Sequence, residues 1–375
     1  MNSVFMPQDL RNSKTTDDSA LFHFSNKLDS EFKIIDCIGG GNFSKVFKAK
    51  NLVDGRIWAI KIPKSQFNSI RDHECKEKEI KNWSKLTHST HKHLITSNLV
   101  RIYEAWEENG YIISSSEYCE NGSLIKWLST RSFPLKADEI WDLIVNMSWA
   151  IFEMHSEGIL HLDIKPENFM IKDDNTIKLA DFGHSVEIKN LNKDTANSKD
   201  SYTLDAEEGD WAYVAPELLD FNPKVTEKAD IFCFGLTLTE IITGNKMPKD
   251  GDLWLKIRKS NLSTIYKFPD SEIGNLIDKM WHKNYKLRIS LLELLKHPKI
   301  FPKFMSRLIK SSLFKSKSSI PSSKKKLEKA IKFKNSDKTL KYTISTLSDG
   351  KKKVQIPYSQ FKSLWKLKIN NAFTK

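Results

Sequence analysis

The sequence contains few cysteines, and none of them falls in a metal-binding pattern. Its four cysteines lie far apart, without a CxxC pair or a Cys-His spacing. This distribution argues against a disulfide framework and a structural zinc site, so we expect an intracellular protein. Long apolar runs are also missing, since the longest, residues 231–242, is interrupted by Thr and Glu. It is shorter than the roughly 18 residues that suggest a membrane-spanning helix, and we expect no membrane contact.

The N-terminal residues lack the marks of a targeting peptide. Residues 1–31 are rich in Ser, Asn and Asp, with neither the apolar core of a secretory signal nor the Arg-rich pattern of an organellar one. Few apolar positions recur periodically there. We interpret this stretch as a flexible N-terminal arm.

Acidic residues are scarce at the opposite end of the chain. Residues 301–375 contain 20 Lys and Arg but only 3 acids, a net charge of +17, whereas the first 300 residues carry −4. Lysine runs at 324–326 and 351–353 have few aromatic residues near them, which favours docking to an acidic partner or an import receptor over specific nucleic-acid binding. The tail therefore predicts a nuclear protein, with the cytoplasm as the alternative.

Hydrophobic periodicity divides the body of the chain into two regions. Up to residue 117, apolar and polar residues alternate in segments separated by turn residues, which predicts antiparallel strands. After Gly122 the period changes to 3.6 residues, which predicts helices. The predicted elements are strands at 32–38, 46–50, 57–62, 99–106, 111–117, 168–171 and 176–179, and helices at 73–86, 124–129, 137–157, 230–243, 275–281 and 291–295. The fold class is α+β, with a five-stranded antiparallel N-lobe at 32–119 and a helical C-lobe at 120–301.

The Lys- and Ser-rich tail, residues 302–375, retains some periodicity. Residues 342–347 and 351–356 flank Ser348-Asp349-Gly350 and resemble a hairpin, and residues 360–369 form an amphipathic segment. We therefore expect a partly folded tail.

Five segments, in order along the chain, contain residues suited to phosphoryl transfer. They are Ile38-Gly-Gly-Gly-Asn-Phe-Ser-Lys-Val46, Trp58-Ala-Ile-Lys61, His161-Leu-Asp-Ile-Lys-Pro-Glu-Asn168, Asp181-Phe-Gly183 and Ala215-Pro-Glu217. A turn with Gly39 and Gly41 lets the backbone approach nucleotide phosphates without Cβ clashes. Lys61 can neutralise phosphate charge, and Glu79 on the first predicted helix can pair with Lys61.

Three further polar residues in these segments suit the transfer itself. Asp163 is placed to accept the proton of a substrate hydroxyl. Asn168 and Asp181 supply the oxygen ligands that Mg²⁺ prefers.

Taken together, the motifs resemble those of eukaryotic protein kinases, over residues 32–301. The resemblance implies a bilobal protein kinase fold, ATP and Mg²⁺ as cofactors, and a protein substrate. It makes Asp163 the catalytic base and Lys165 the residue that steadies the transferring phosphoryl group. The residues implied to bind or position the nucleotide are Ile38, Gly39, Gly40, Gly41, Asn42, Phe43, Ser44, Lys45, Val46, Lys61, Glu79, Glu117 and Cys119.

The same resemblance assigns roles to residues between and behind the lobes. The carbonyl of Glu117 and the amide of Cys119 would bond adenine, and Ser116 would line the pocket, the alternative being a plain inter-lobe linker. Asp230 would be structural. Arg288 would pair with Glu217.

A finer resemblance, to the Wee family of cell-cycle kinases, comes from departures from the common kinase pattern. The catalytic loop reads His161-Leu-Asp163, and the activation segment ends in Glu207-Glu-Gly-Asp-Trp-Ala-Tyr-Val-Ala-Pro-Glu217. Further matches are Glu104-Ala-Trp106, Glu117-Tyr-Cys-Glu-Asn-Gly-Ser-Leu124, Lys228-Ala-Asp-Ile-Phe232 and Asp250-Gly-Asp-Leu-Trp254 with Ile257-Arg258. The resemblance implies a tyrosine kinase that phosphorylates the Gly-rich loop of a cyclin-dependent kinase and restrains entry into mitosis.

Other functions stay open at this point. Ser44 stands where the third Gly of the phosphate loop usually lies, and Glu167 and the Asp-Phe-Gly motif also occur in ordinary Ser/Thr kinases. The alternatives are therefore a Ser/Thr kinase of another group and a non-catalytic scaffold.

The histidines at positions 88, 91 and 93 and the residue Leu162 each lead to one further expectation. His88, His91 and His93 lie close together without a further acid or Cys, which favours a polar loop over a metal site. Leu162 replaces the Arg that commonly pairs with a phosphorylated activation loop, so we expect activity without that phosphorylation. Glu207, Glu208 and Asp210 would instead order the loop by bonding backbone amides or nearby Lys.

Overall fold

The computed structural model describes residues 27–41, 43–67, 69–88, 98–131, 134–188 and 210–313, and three strands between residues 327 and 355. The first part is an antiparallel sheet with the strand order β1-β2-β3-β5-β4. Its strands are β1 (Phe32–Gly40), β2 (Ser44–Asn51), β3 (Ile57–Pro63), β4 (Ile102–Glu108) and β5 (Tyr111–Glu117). Asn109 and Gly110, with φ of 52° and 76°, form the tight turn of the last hairpin. The predicted five-stranded N-lobe is confirmed.

The N-lobe helix α2 (Ile70–His88) begins three residues before its predicted start. β4 in turn starts three residues later than predicted, at Ile102. The reason is that Leu99 makes a parallel bridge to Leu179 in the C-lobe. Residues 98–100 therefore tie the two lobes together instead of extending the sheet.

The described residues include the end of the predicted N-terminal arm, which was expected to extend to residue 31. The helix α1 (Lys27–Glu31) lies inside that arm, and Leu28 is buried in the sheet's core with Phe32 and Phe47. The Nζ atom of Lys27 lies 2.9 Å from a carboxylate oxygen of Glu104 and 5.1 Å from the Trp106 ring centroid. One apolar side chain and one cation thus fix this turn to the sheet, so the N-lobe includes it.

Helices dominate the second part, as predicted. They are α3 (Leu124–Ser129), α4 (Ala137–Ser156), α5 (Glu227–Thr243), α6 (Gly251–Ile257), α7 (Ser271–Met280), α8 (Leu291–Leu295) and α9 (Phe301–Leu313). Short elements between them are β6 (Ile159–Leu160), β7 (Phe169–Ile171), β8 (Ile177–Leu179), β9 (Val186–Glu187), and 3₁₀ turns at Pro166–Asn168, Pro216–Leu218 and Leu262–Thr264. α4 and α5 are buried along most of their length and form the centre of the lobe.

The C-lobe extends past its predicted end at residue 301. Phe304, in α9, is fully buried, with its ring centroid 4.7 Å from that of Trp149 and 5.2 Å from that of Phe152. Arg307 donates a 2.8 Å hydrogen bond to Asn146 and lies over the Trp149 ring. α9 therefore belongs to the lobe, although the sequence assigned it to the tail.

The basic tail contains a three-stranded antiparallel sheet in the order β10-β11-β12. Its strands are β10 (Leu327–Lys332), β11 (Thr339–Thr346) and β12 (Lys352–Gln355). Pairing of β11 with β12 confirms the predicted hairpin, whereas β10 was not predicted. The amphipathic segment 360–369 lies outside the described residues. Within the described parts, no helix combines the length and the apolar character needed to cross a membrane.

Candidate active site

Lys61, Glu79 and Asp181 meet between the lobes and form the nucleotide side of the site. Lys61 projects from β3, Glu79 from α2, and Asp181 follows β8. The Nζ atom of Lys61 lies 3.0 Å from a carboxylate oxygen of Glu79 and 2.8 Å from one of Asp181. Lys76 also reaches Glu79, at 3.1 Å. The predicted Lys61–Glu79 pair is present.

These charges stabilise one another's ionised forms. Lys61 lowers the pKa of the Asp181 carboxyl well below its usual range. Burial acts to raise the pKa of Glu79, but Lys61 and Lys76 outweigh it and lower that pKa. Burial likewise opposes the charge of Lys61, yet the two carboxylates raise its pKa. All three groups are therefore charged at neutral pH.

Asp163 is buried on the catalytic loop with two donors on its carboxylate. The Nζ atom of Lys165 lies 2.9 Å from one oxygen, and the amide nitrogen of Asn168 donates to the same carboxylate at 2.8 Å. Asn168 also donates to the carbonyl of Asp163, which closes the loop on itself. Asp163, Lys165 and Asn168 are thus brought together as the sequence predicted.

A buried carboxylate shapes the backbone of this loop. Leu162 has a φ of 62°, in the left-handed region that is unfavourable for a branched side chain. Asp230 accepts the amides of His161 and Leu162 at 2.9 and 2.8 Å, and it also contacts His155 at 2.8 Å. Asp230 therefore holds the strained turn that directs Asp163 towards the cleft. Its predicted structural role is explained by these contacts.

Tilted aromatic contacts connect the catalytic loop to α2. The Phe182 ring is fully buried, 5.6 Å from that of Trp83 and 5.7 Å from that of His161. Burial lowers the pKa of His161, which favours a neutral ring that donates from Nε2 to the Ala180 carbonyl at 3.1 Å. The adjacent Asp181 is therefore fixed from both lobes. Phe182 was quoted in the sequence only as part of a motif.

The glycine-rich turn lies between β1 and β2. The Gly41 amide donates to the Ser44 carbonyl at 3.0 Å, and a Cβ on Gly39 or Gly41 would meet no atom within 4 Å. The space beside both glycines is open, as phosphate approach requires. Asn42 lies outside the described residues. The remaining predicted loop residues all lie along these two strands and their turn: Ile38, Gly40, Phe43, Lys45 and Val46.

A cavity runs from this turn towards α2. Lys61, Lys76 and Glu79 provide its charged lining, and Ser44 and Ser114 provide hydroxyl groups. Its remaining lining residues, Phe43, Pro63, Ile80 and Ile112, are apolar, and both ammonium groups are already paired with Glu79.

The inter-lobe connection follows β5. The Glu117 carboxylate accepts from Lys178 at 2.8 Å and from Lys172 at 3.2 Å, which fixes the strand end to the C-lobe. Burial raises the pKa of the Cys119 thiol to about 12, so the thiol is neutral. Ser116 is buried beside it. Adenine bonding by the Glu117 carbonyl and the Cys119 amide stays a prediction.

Asn168 and Asp181 fit a divalent cation by the chemistry of their free oxygens. The Asn168 side-chain nitrogen is engaged by Asp163, which leaves its carbonyl oxygen as the available ligand. Asp181 is ionised and offers a second carboxylate oxygen besides the one near Lys61. Oxygen donors of this kind suit hard cations.

The opposite side of the catalytic loop is formed by residues 210–217. Asp210 lies 3.9 Å from Lys165 and 3.7 Å from Lys249, and it accepts the amide of Ala212 at 3.3 Å. The prediction that Asp210 bonds nearby Lys and backbone amides is confirmed. Glu207 and Glu208 fall outside the described residues, as do His91 and His93.

Farther along, the predicted Arg288–Glu217 pair forms with two hydrogen bonds of 2.6 and 2.8 Å. Both side chains are buried. A bidentate pair of this kind holds the end of the segment against the lobe.

The protein kinase domain model matches residues 32–300. The chain belongs to the protein kinase family. It is 35% identical over 278 residues to a membrane-associated tyrosine- and threonine-specific cdc2-inhibitory kinase of Caenorhabditis elegans, covering 74% of this chain and 38% of that protein. It is 28% identical to the Wee1-like protein kinase 2 of Mus musculus, covering 82% of this chain and 57% of that protein. The predicted resemblance to the Wee family is confirmed.

A third relative matches over most of its own length. A probable protein kinase of Dictyostelium discoideum is 33% identical, with 72% of this chain and 73% of that protein covered. In contrast, the chain spans well under half of the C. elegans protein.

Sequence reasoning missed one pair of residues beside this site. Trp254 and Arg258 were quoted as matching a family pattern, but no role was assigned to them. Both contact residues 211–214. The available signal was an Arg and a Trp four residues apart, a spacing that places them on one face of a helix.

Proposed function

We propose that this kinase transfers the γ-phosphoryl group of ATP, with Mg²⁺ as the cation, to a tyrosine in the Gly-rich loop of a cyclin-dependent kinase. The observation that carries the proposal is the assembled catalytic set, in which Asp163, Lys165 and Asn168 share one hydrogen-bonded loop beside the Lys61–Glu79 pair. The choice of substrate rests on similarity to cdc2-inhibitory and Wee1-like kinases. Phosphorylation would hold the target inactive and restrain entry into mitosis.

Each side chain has a defined task in this reaction. Asp163 accepts the proton of the attacking hydroxyl, and Lys165, already within 3.0 Å of Asp163, offers its positive charge to the transferring group. Lys61 positions the phosphates while Glu79 holds Lys61. Asn168 and Asp181 would hold the cation through their side-chain oxygens. When bound, ATP would supply the phosphoryl group, and the cation would screen the negative charge of the phosphates.

The experiment is phosphosite mapping on a defined target. The full chain is incubated with MgATP and a catalytically inactive cyclin-dependent kinase, and the products are mapped by mass spectrometry. We expect phosphate on a tyrosine of the target's Gly-rich loop. A target with that tyrosine changed to Phe is the matched control and should stay unmodified.

The other outcomes separate the alternatives. Products restricted to Ser and Thr would favour a Ser/Thr kinase of another group. Failure of the purified chain to bind MgATP would favour a non-catalytic scaffold.

A further inference from the structure

Residues 210–214 form the acceptor segment, which lies against the catalytic loop. Its first residue, Asp210, lies 3.9 Å from the Nζ atom of Lys165, which itself contacts the Asp163 carboxylate. A hydroxyl that reaches Asp163 must therefore pass beside this segment. Its backbone position affects how a protein acceptor is presented to the base.

In the described part of the chain, side chains, not backbone amides, donate hydrogen bonds to the carbonyls of the last four residues of the segment, 211–214. The carbonyls of Trp211, Ala212 and Val214 accept from one nitrogen of Arg258, at 2.8, 3.3 and 3.0 Å. The Tyr213 carbonyl accepts from the Cys233 thiol at 3.2 Å. Residues 211–214 belong to no helix or strand, so these side chains replace the backbone partners that regular structure would provide.

Trp254 completes the arrangement. Its ring nitrogen donates to the Trp211 carbonyl at 2.8 Å, and its ring centroid lies 3.8 Å from the central carbon of the Arg258 guanidinium. Arg258 also donates to the Trp254 carbonyl at 3.3 Å, within the same helical turn. The ring thus holds the guanidinium flat against the segment.

Arg258 is a buried cation, since only 7% of it is exposed. Among the described residues its partners are neutral carbonyls and an aromatic ring, with no carboxylate in an ion pair. Burial lowers its pKa to about 10, which still leaves it protonated at neutral pH. Its two Nη atoms donate to these carbonyls, whereas its buried Nε has no hydrogen-bond partner among the described residues. Because burial of a charge is costly unless it is hydrogen-bonded, the carbonyls of the segment stabilise this cation.

We propose that Arg258, supported by Trp254, is a positioning residue for the protein acceptor and keeps the acceptor segment in its binding conformation before any ligand arrives. Arg258 acts through backbone carbonyls and does not touch the reacting atoms. It therefore governs use of the protein acceptor and leaves use of ATP unchanged. The inference rests on kinase activity but not on the identity of the substrate.

The test is steady-state kinetics with Arg258→Met, which keeps the length of the side chain and removes its donors. A degenerate peptide mixture containing Ser, Thr and Tyr is the acceptor, so the test stands even if cyclin-dependent kinases are not substrates. We expect kcat/KM for the peptide to fall at least tenfold while KM for ATP stays within twofold. Arg258→Lys, which restores the charge without the planar fork, should recover part of the loss.

Arg131→Met is the matched control. Arg131 lies 3.9 Å from the Trp127 ring centroid in the C-lobe, and it is an exposed Arg that pairs with Glu139 at 3.5 Å instead of with the acceptor segment. It should leave both kinetic constants unchanged. Trp254→Phe removes one hydrogen bond and keeps a ring, so it provides a milder variant if Arg258→Met does not fold. Peptide kcat/KM within threefold of the parent, or equal losses for ATP and peptide, would overturn the proposal.

Discussion

The two sides of Asp163 are held by different kinds of interaction. On the nucleotide side, Lys61 lies between two carboxylates, Glu79 and Asp181, at 3.0 and 2.8 Å. On the acceptor side, the guanidinium of Arg258 bonds neutral carbonyls. Phosphates that approach Lys61 compete with Asp181, so the nucleotide side must exchange partners on binding. Arg258 and Trp254 hold the acceptor segment through its backbone carbonyls, so we expect this segment to be formed before a ligand binds.

Substitution of Asp163, which lies between the nucleotide side and the acceptor side, tests its role as the catalytic base. Asp163→Asn should lower kcat by about 10²- to 10⁴-fold, because general-base catalysis is worth that much. ATP affinity should be retained, since Asp163 contacts Lys165 and Asn168 and not Lys61. Turnover and nucleotide titration of the purified variant measure the two effects. Turnover within threefold of the parent would contradict the assigned role.

A nucleotide-side variant sharpens the contrast with Arg258. Lys61→Met should lower kcat/KM for ATP by about 10²-fold, the order expected for loss of one electrostatic contact to the transferring group. KM for the peptide acceptor should change by less than twofold, the reverse of the Arg258→Met pattern. Comparable losses for both substrates would show that the two sides are not independent.

A variant remote from both sides separates stability from catalysis. Phe304→Ala should lower the free energy of unfolding by about 3–5 kcal/mol, because it empties a buried aromatic cluster with Trp149 and Phe152. Denaturant titration measures this loss. Both KM values should match the parent at a temperature where the variant stays folded.

Truncation tests whether the basic tail contributes to nucleotide or acceptor use, or only to localisation. A chain ending at residue 313 keeps α9 and loses residues 314–375, which carry 17 Lys and Arg and 3 acids, a net charge of +14. We expect unchanged catalysis and loss of nuclear accumulation, followed by a fluorescent fusion in cells. Unchanged accumulation would disprove a targeting role. A chain ending at residue 301 is a poor choice, since it removes the buried Phe304.

The smallest effect is expected in the activation loop. Combined replacement of Ser198, Ser201 and Thr203 by Ala, and of Tyr202 by Phe, should leave peptide kinetics within twofold of the parent. Leu162 is buried and cannot pair with a phosphate, and Arg258 already holds the acceptor segment. A tenfold drop with intact circular dichroism would mean that a phosphate on this loop finds another cation.

The residues to which we assign the chemistry could be selected from the sequence. Lys61, Asp163 and Asp181 stand in ordered motifs, and alternation predicted the five strands that position Lys61. The spacing of Trp254 and Arg258 places them on one face of a helix, but it could not predict their partners, because backbone carbonyls leave no trace in residue identity. Only the folded chain places α6 against residues 211–214.

The folded segments just outside the two predicted domain ends have a similar physical basis. Leu28 is the single apolar residue of α1, and Phe304 and Met305 are buried in α9, which also carries Lys303, Arg307 and Lys310. Composition over a window therefore assigned them to an arm and a tail. Their burial depends on tertiary contacts with Phe47 and Trp149, which the local pattern does not contain.

Hydrogen exchange followed by mass spectrometry, with and without MgADP, measures the difference between the two sides directly. The amides of Ala212 and Tyr213 donate to Asp210 at 3.3 and 3.0 Å, so they should exchange slowly in the free protein and at the same rate with nucleotide. Amides of residues 39–41, of which the Gly41 amide already donates to the Ser44 carbonyl at 3.0 Å, should slow further when MgADP is added. Fast exchange of residues 212–213 in the free protein, slowed by nucleotide, would contradict an acceptor segment formed in advance.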